Sequence, residues 1–208
     1  MEELKIMPCS EKKDLVRENI EFLEGMINTF IEKELGKDKA EEHLQHVRSQ
    51  YRKILRDETE EELYEKHYDN WIHLGKSNFD YVRKHLGEEG VQRLIRTETD
   101  FLIQKNKGPA VSFLGLVRKL SKKKAFKIAM KDMTYQLQWI TPYSVIKSTD
   151  EEVLCDIRNC KILNYDDTDD ICYLGCMKIY PQWIREQMEI DMNFQRDGRN
   201  CTLTVKPI

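Results

Sequence analysis

Apolar positions in the first half of the chain recur at steps of three and four. Over residues 10–35 they are Leu15, Ile20, Leu23, Met26, Ile27, Phe30 and Ile31, which draws one apolar stripe along a helix. Ser10 is the expected N-cap and Gly36 the expected stop. A second helix is expected over residues 38–56, with Ala40, Leu44, Val47, Tyr51, Ile54 and Leu55 facing inward. A third covers residues 60–74 and closes at Gly75, and a fourth covers residues 78–86. After Gly87 and Gly90 a fifth runs over residues 91–104. Lys107, Gly108 and Pro109 break the series. No apolar–polar alternation precedes that break, so no strand is expected in residues 10–104.

The period then changes. Residues 133–140 alternate apolar and polar positions, the pattern of a half-buried strand ended by Thr141 and Pro142. Residues 143–147 and 153–160 read as two more strands. After an acidic turn at residues 164–170, residues 171–185 read as a helix that Pro181 kinks or divides. Residues 188–194 alternate again, residues 196–199 make a turn, and residues 201–205 close a hairpin. The expected class is α+β: an N-terminal helical region, residues 1–108, packed on a C-terminal antiparallel sheet with one or two helices, residues 109–208. The two are expected to form one compact domain.

Composition narrows the function classes. The 208 residues carry 34 Lys and Arg against 37 Asp and Glu, a net charge of -3, so no global attraction to nucleic acid or acidic membranes is expected. Residues 101–131 hold nine Lys or Arg and no Asp or Glu. With only Phe113 and Phe126 interleaved, that stretch reads as a solvated basic helix rather than a single-strand stacking platform. No apolar run is long enough to span a membrane, and the first residues lack a basic flank and apolar core, so a cytoplasmic protein is expected. The Gly108 to Gly115 segment lacks the Gly-Lys-Ser/Thr ending of a phosphate loop.

Cysteine and histidine are segregated. Of six cysteines, Cys9 stands alone while Cys155, Cys160, Cys172, Cys176 and Cys201 fall late; His43, His46, His67, His73 and His85 all fall early. In a reducing compartment such thiols are ligands, nucleophiles or small apolar core residues rather than disulfides. The paired C-x2-C knuckles of zinc ribbons are absent, yet Cys160, Cys172 or Cys176, and Cys201 are compatible with one site. Cys172 lies near a helix start, which favours thiolate, against the opposing charge of Asp166, Asp167, Asp169 and Asp170. Any imidazole partner must come from the helical half, where His67 and His73 flank Trp71. Arg158, two residues before Cys160 on the expected strand, shares its face by alternation and is placed to clamp a substrate carboxylate.

The order His67-Tyr-Asp-Asn-Trp71-Ile-His73-Leu-Gly75-Lys, then Asp156-Ile-Arg158-Asn-Cys160, Cys172, Cys176 and Asp197-Gly198-Arg-Asn-Cys201, resembles the L-2-amino-thiazoline-4-carboxylic acid hydrolase family and its relatives. The C-terminal unit is also similar to the 4-vinyl reductase domain. Cys155, Cys172 and the acidic turn are additional to the pattern. The resemblance implies hydrolysis of a non-peptide C–N bond in a small cyclic amidine or isothiourea carboxylate, with no cofactor. Cys160, Cys172 or Cys176 would then attack, or Asp156 would activate water, with His67 or His73 as base and with Arg158 and Trp71 binding the small-molecule substrate. The alternative is a non-catalytic ligand- or metal-binding sensor module, with zinc or an iron–sulfur cluster on Cys160, Cys176 and Cys201.

Overall fold

The computed structural model describes residues 5–208. They form two compact units: Met7–Glu98, and Thr99–Ile208 with Lys5 and Ile6. The division falls inside a helix, upstream of the Gly108 break expected to mark it.

The regular elements of the first unit are all helices. Helix α1, Cys9–Leu35, opens one residue before Ser10, with Pro8 at the cap position and no side-chain cap bond, so Ser10 is not the N-cap. Gly36, at φ 96, turns the chain into α2, Lys37–Ser49. That helix stops short of residue 56, because buried Asn70 holds the departing strand of chain instead. Its Oδ1 accepts from the Arg52 amide at 2.7 Å and its Nδ2 donates to the Arg52 carbonyl at 3.3 Å. A capping box then starts α3, Glu60–Lys105: the Thr59 amide donates to Glu62 Oε2 at 2.8 Å and the Glu62 amide to Thr59 Oγ1 at 3.2 Å. Of the three helices expected over residues 60–104, the first two are continuous, and the third is set off by a kink at Gly87, as expected. Apolar residues buried on both sides of Gly75, among them Trp71, Ile72, Leu74, Phe79 and Val82, carry the helix through there, and Gly87 lies at φ 66, ψ -168.

The second unit is α+β. Helices α4, Pro109–Leu120, and α5, Lys122–Gln136, follow the Gly108 break, and Ser121 caps α5 through its Oγ. Residues 133–140 are not a strand: α5 runs to Gln136 and a 3-10 turn, Leu137–Trp139, extends it. The buried set Ala125, Phe126, Ala129, Met130 and Met133 is helical in spacing, and that period overrides the alternation of the last turns. Four strands remain, β1 Ser144–Ser148, β2 Val153–Ile157, β3 Ile190–Asp197 and β4 Asn200–Pro207. They form one antiparallel sheet in the order β1-β2-β4-β3. Its inner face carries Val153, Cys155 and Ile157 from β2, Cys201, Leu203 and Val205 from β4, and Ile190 and Met192 from β3. Between β2 and β3 lie a π-helix, Ile171–Ile179, and α6, Tyr180–Met188. The expected division at Pro181 is seen there as the change from π to α winding. Among the described residues no helix is long and apolar enough to cross a membrane.

Candidate thiol site

Three local features bring cysteines toward one end of the sheet. The first is the end of β2. The strand stops at Ile157 and Asn159 adopts the left-handed conformation, φ 51, which turns the chain before Cys160. Asn200 fixes that turn by accepting the Asn159 amide on its Oδ1 at 3.1 Å, and the Cys160 amide donates to the Arg199 carbonyl at 2.8 Å. The loop is thereby tied to the β3–β4 turn, where Gly198 at φ 59 supplies the positive φ that a two-residue hairpin loop demands.

The second is the π-helix. Buried Thr168 gathers the loop before it, its Oγ1 donating to the Ile162 carbonyl at 2.8 Å, while the Cys172 amide donates to the Thr168 carbonyl at 3.0 Å. Cys172 and Cys176, four residues apart, sit within this one helix. Segments of π-helix are uncommon and concentrate at functional sites. The third is β4 itself, where Cys201 pairs with Ile157 on one side and Arg196 on the other. Its Sγ lies 3.8 Å from the Thr202 carbonyl oxygen.

Cys160, Cys172 and Cys201 are buried. Their thiols and that of Cys176 are neighbours: Cys176 is under the electrostatic influence of the other three, and Cys201 under that of Cys172 and Cys160. Burial raises the Cys176 thiol well above the ordinary range, raises Cys172, and pushes Cys201 up to about 11. Arg196 opposes the shift at Cys172. Its Nη1 donates to Asp169 Oδ1 at 2.6 Å and its Nε to the Gly198 carbonyl at 2.9 Å, which holds the guanidinium beside the thiols. Cys155, raised to about 11 by burial alone, and exposed Cys9 stand apart from the group. Among the described residues no three His, Cys, Asp or Glu side chains converge as ready-made ligands of one ion.

Of the other expected site residues, Arg158 and Asp156 are tied to each other, and Trp71, His67 and His73 belong to the other unit. Arg158 is 81% exposed and its Nε donates to Asp156 Oδ2 at 2.7 Å, so it does not face a cavity with buried Cys160. The alternation that would have paired them ends at Ile157, and the left-handed Asn159 re-aims the chain between them. Asp156, the other candidate acid–base group, is committed to that surface ion pair. Trp71, His67 and His73 belong to the helical unit. Trp71 is packed on Tyr68 with ring centroids 5.4 Å apart. His73 Nε2 is 3.5 Å from Ser77 Oγ, and burial lowers both imidazoles below the ordinary value. A shallow cleft in the second unit, lined by residues that include Leu114, Phe126, Met188 and Ile208, contains none of the thiols. Arg196 went unnoticed in the sequence. Its signal was the hairpin register, since a two-residue loop at Gly198 and Arg199 sets residue 196 opposite residue 201.

No family model, curated protein or solved structure matches the chain.

Proposed function

We propose that the C-terminal unit is a metal-centre module in which Cys160, Cys172, Cys176 and Cys201 hold a soft metal as thiolates. The observation that carries this reading is that the Cys160 amide is tied to Arg199 beside Cys201, while Arg196, opposite Cys201 in the ladder, reaches Asp169 just before the π-helix that carries Cys172 and Cys176. Metal binding would discharge the protons of Cys172, Cys176 and Cys201, whose thiols burial otherwise favours neutral, and Arg196 would offset part of the resulting negative charge. The role that fits is a binding or sensing module rather than a catalyst. The hydrolytic reading that the family resemblance implies has less to support it. Its carboxylate clamp Arg158 is at the surface, and burial raises the thiols of Cys172 and Cys176, which weakens them as nucleophiles.

Metal analysis of the full chain purified without oxygen tests the proposal. Stoichiometric bound metal, lost in Cys172→Ser or Cys201→Ser and kept in Cys9→Ser and Cys155→Ala, supports it. Metal-free protein whose Cys160 alkylates rapidly and whose Cys160→Ser variant loses turnover of a thiazoline carboxylate would restore the hydrolase.

A further inference from the structure

Helix α4 turns an apolar row outward. By helical spacing Phe113, Leu116 and Leu120 fall on one side of it, and they are 56%, 61% and 85% exposed. Pro109, Ser112 and Lys119 complete that exposed side, while Val117 is buried. Apolar residues scattered singly over a surface need no partner, whereas a row along one helix face marks a contact surface. The shallow cleft of the same unit opens on Leu114 and Arg118 and does not take in this row.

The charge around the row is of one sign. Residues 101–131 hold eight Lys and one Arg with no Asp or Glu, so the chain's net charge of -3 arises entirely outside them. Lys122 and Lys123 are engaged, with the Ile208 carbonyl and with Asp150 and Glu151. Lys107, Lys119, Lys124 and Lys127 are exposed, and among the described residues no ion pair engages them. Lys119 lies on α4 itself, Lys107 two residues before it, and Lys124 and Lys127 on the first two turns of α5. A solvated basic helix accounts for these lysines and leaves the apolar row between them without a role.

Apolar side chains flanked by cations fit an acidic protein or an anionic bilayer, and the composition favours the bilayer. Protein interfaces are depleted in lysine and rich in arginine, and the one arginine here is paired with Glu189 at 2.9 Å. A bilayer requires no pocket: Phe and Leu enter the boundary of the acyl chains, and lysines on flexible stems stay at headgroup level.

We infer that α4 is a peripheral membrane contact, which seats Phe113, Leu116 and Leu120 in an anionic leaflet and sets Lys107, Lys119, Lys124 and Lys127 on its headgroups. The inference is independent of the thiol site. The test is co-sedimentation of the full chain with phosphatidylcholine vesicles and with vesicles that also contain phosphatidylserine, at low and high salt. The expected result is binding to the anionic vesicles that weakens with salt, and little binding to the neutral ones. Phe113→Ser with Leu116→Ser should weaken it about tenfold or more. Lys119→Gln with Lys124→Gln should also weaken it about tenfold or more. The lysine variant leaves the apolar row whole, so it decides even where the apolar variant fails to fold. Absence of vesicle binding, equal binding to neutral and anionic vesicles, or either folded variant binding like wild type overturns the inference. So does a concentration-dependent dimer that the apolar variant dissolves, because a second copy of the chain then covers the row.

Discussion

Arg196 stands directly opposite Cys201 in the β3–β4 ladder and also bears on the Cys172 thiol. Directly paired residues of neighbouring strands project to the same face, so this cation is on the cysteine side of the sheet. Its two other bonds, to Asp169 and to the Gly198 carbonyl, keep it there. An arginine in that position positions and tunes rather than binds metal. Replacing it by glutamine removes a positive charge beside the thiolates that metal binding would create, so metal affinity should fall. Arg196→Lys, which keeps the charge, should lose less. Chelator competition measures both, and an Arg196→Gln affinity equal to wild type would remove Arg196 from the site.

Loading should also stabilise the second unit. A ligand that binds only the folded state at 100 times its dissociation constant adds about 2.7 kcal/mol, and for a domain of this size that raises Tm by about 10 °C or more. Thermal denaturation of the full chain should therefore show a higher Tm with bound metal than without it. Cys172→Ser should abolish the difference. An unchanged Tm with stoichiometric metal bound would speak against a site built by the folded unit.

The long helix α3 offers a test of backbone strain. Gly87 sits at φ 66, ψ -168, a region open essentially to glycine alone. A Cβ built there meets nothing within 4 Å, so the cost of Gly87→Ala is conformational and not steric. It should destabilise the chain by about 1–3 kcal/mol, measured by denaturant unfolding, whereas Gly25→Ala, helical and equally open, should be neutral or stabilising. Equal effects at the two positions would mean that α3 straightens through residue 87.

How much of this was legible in the sequence depends on whether local pattern or tertiary context decided each element. Helix α1 and the hairpin at Gly198 follow from spacing and turn chemistry alone. Residues 133–140 carried two periods at once, and only the packing of α5 through Phe126, Met130 and Met133 selects the helical one. The end of α2 was illegible for a different reason: its competitor is Asn70, which lies well beyond the helix and replaces the hydrogen bonds the backbone would otherwise make. The same split holds at the site. Cys160, Cys172, Cys176 and Cys201 were marked by chemistry. The separation of Arg158 from Cys160 hangs on one left-handed asparagine that alternation does not foresee.

A partly buried ion pair in the helical unit gives a prediction independent of any ligand. Glu24 accepts from Arg48 at 3.0 Å and 2.6 Å and from the Tyr51 hydroxyl at 3.0 Å, although its side chain is only 12% exposed. Removing Arg48 leaves a poorly solvated carboxylate. Full burial would make that loss about 3–5 kcal/mol, but the exposed side of Arg48 lets solvent screen the pair, so Arg48→Ala should cost about 1–3 kcal/mol. Adding Glu24→Gln should recover part of the loss, because the uncompensated charge is then gone. A double variant no more stable than Arg48→Ala, by denaturant unfolding, would mean that the arginine contributes packing rather than charge.

His43 makes the helical unit sensitive to acid. It is buried on α2, its Nε2 is 2.9 Å from Asn78 Oδ1 of α3, and the Tyr81 ring lies 4.3 Å from its own. His46 on its own helix and His85 on α3 add like charge when protonated, and Lys39 and Glu42 sit near Tyr81. Burial, helped by those imidazoles, holds the His43 pKa below 6.5. As pH falls through about 6.5, the unfolded chain therefore binds a proton that the folded imidazole does not. The free energy of unfolding must then decrease with pH, and the loss continues until the folded imidazole itself titrates. Stability from this group is complete above pH 7 and is lost on acidification. His43→Gln cannot charge and can still bond to Asn78. Its Tm, followed by far-UV circular dichroism, should fall less than that of the wild type between pH 7.5 and pH 5.5, even if it begins lower. Parallel losses in the two proteins would show that His43 is protonated as readily in the folded chain as in the unfolded one.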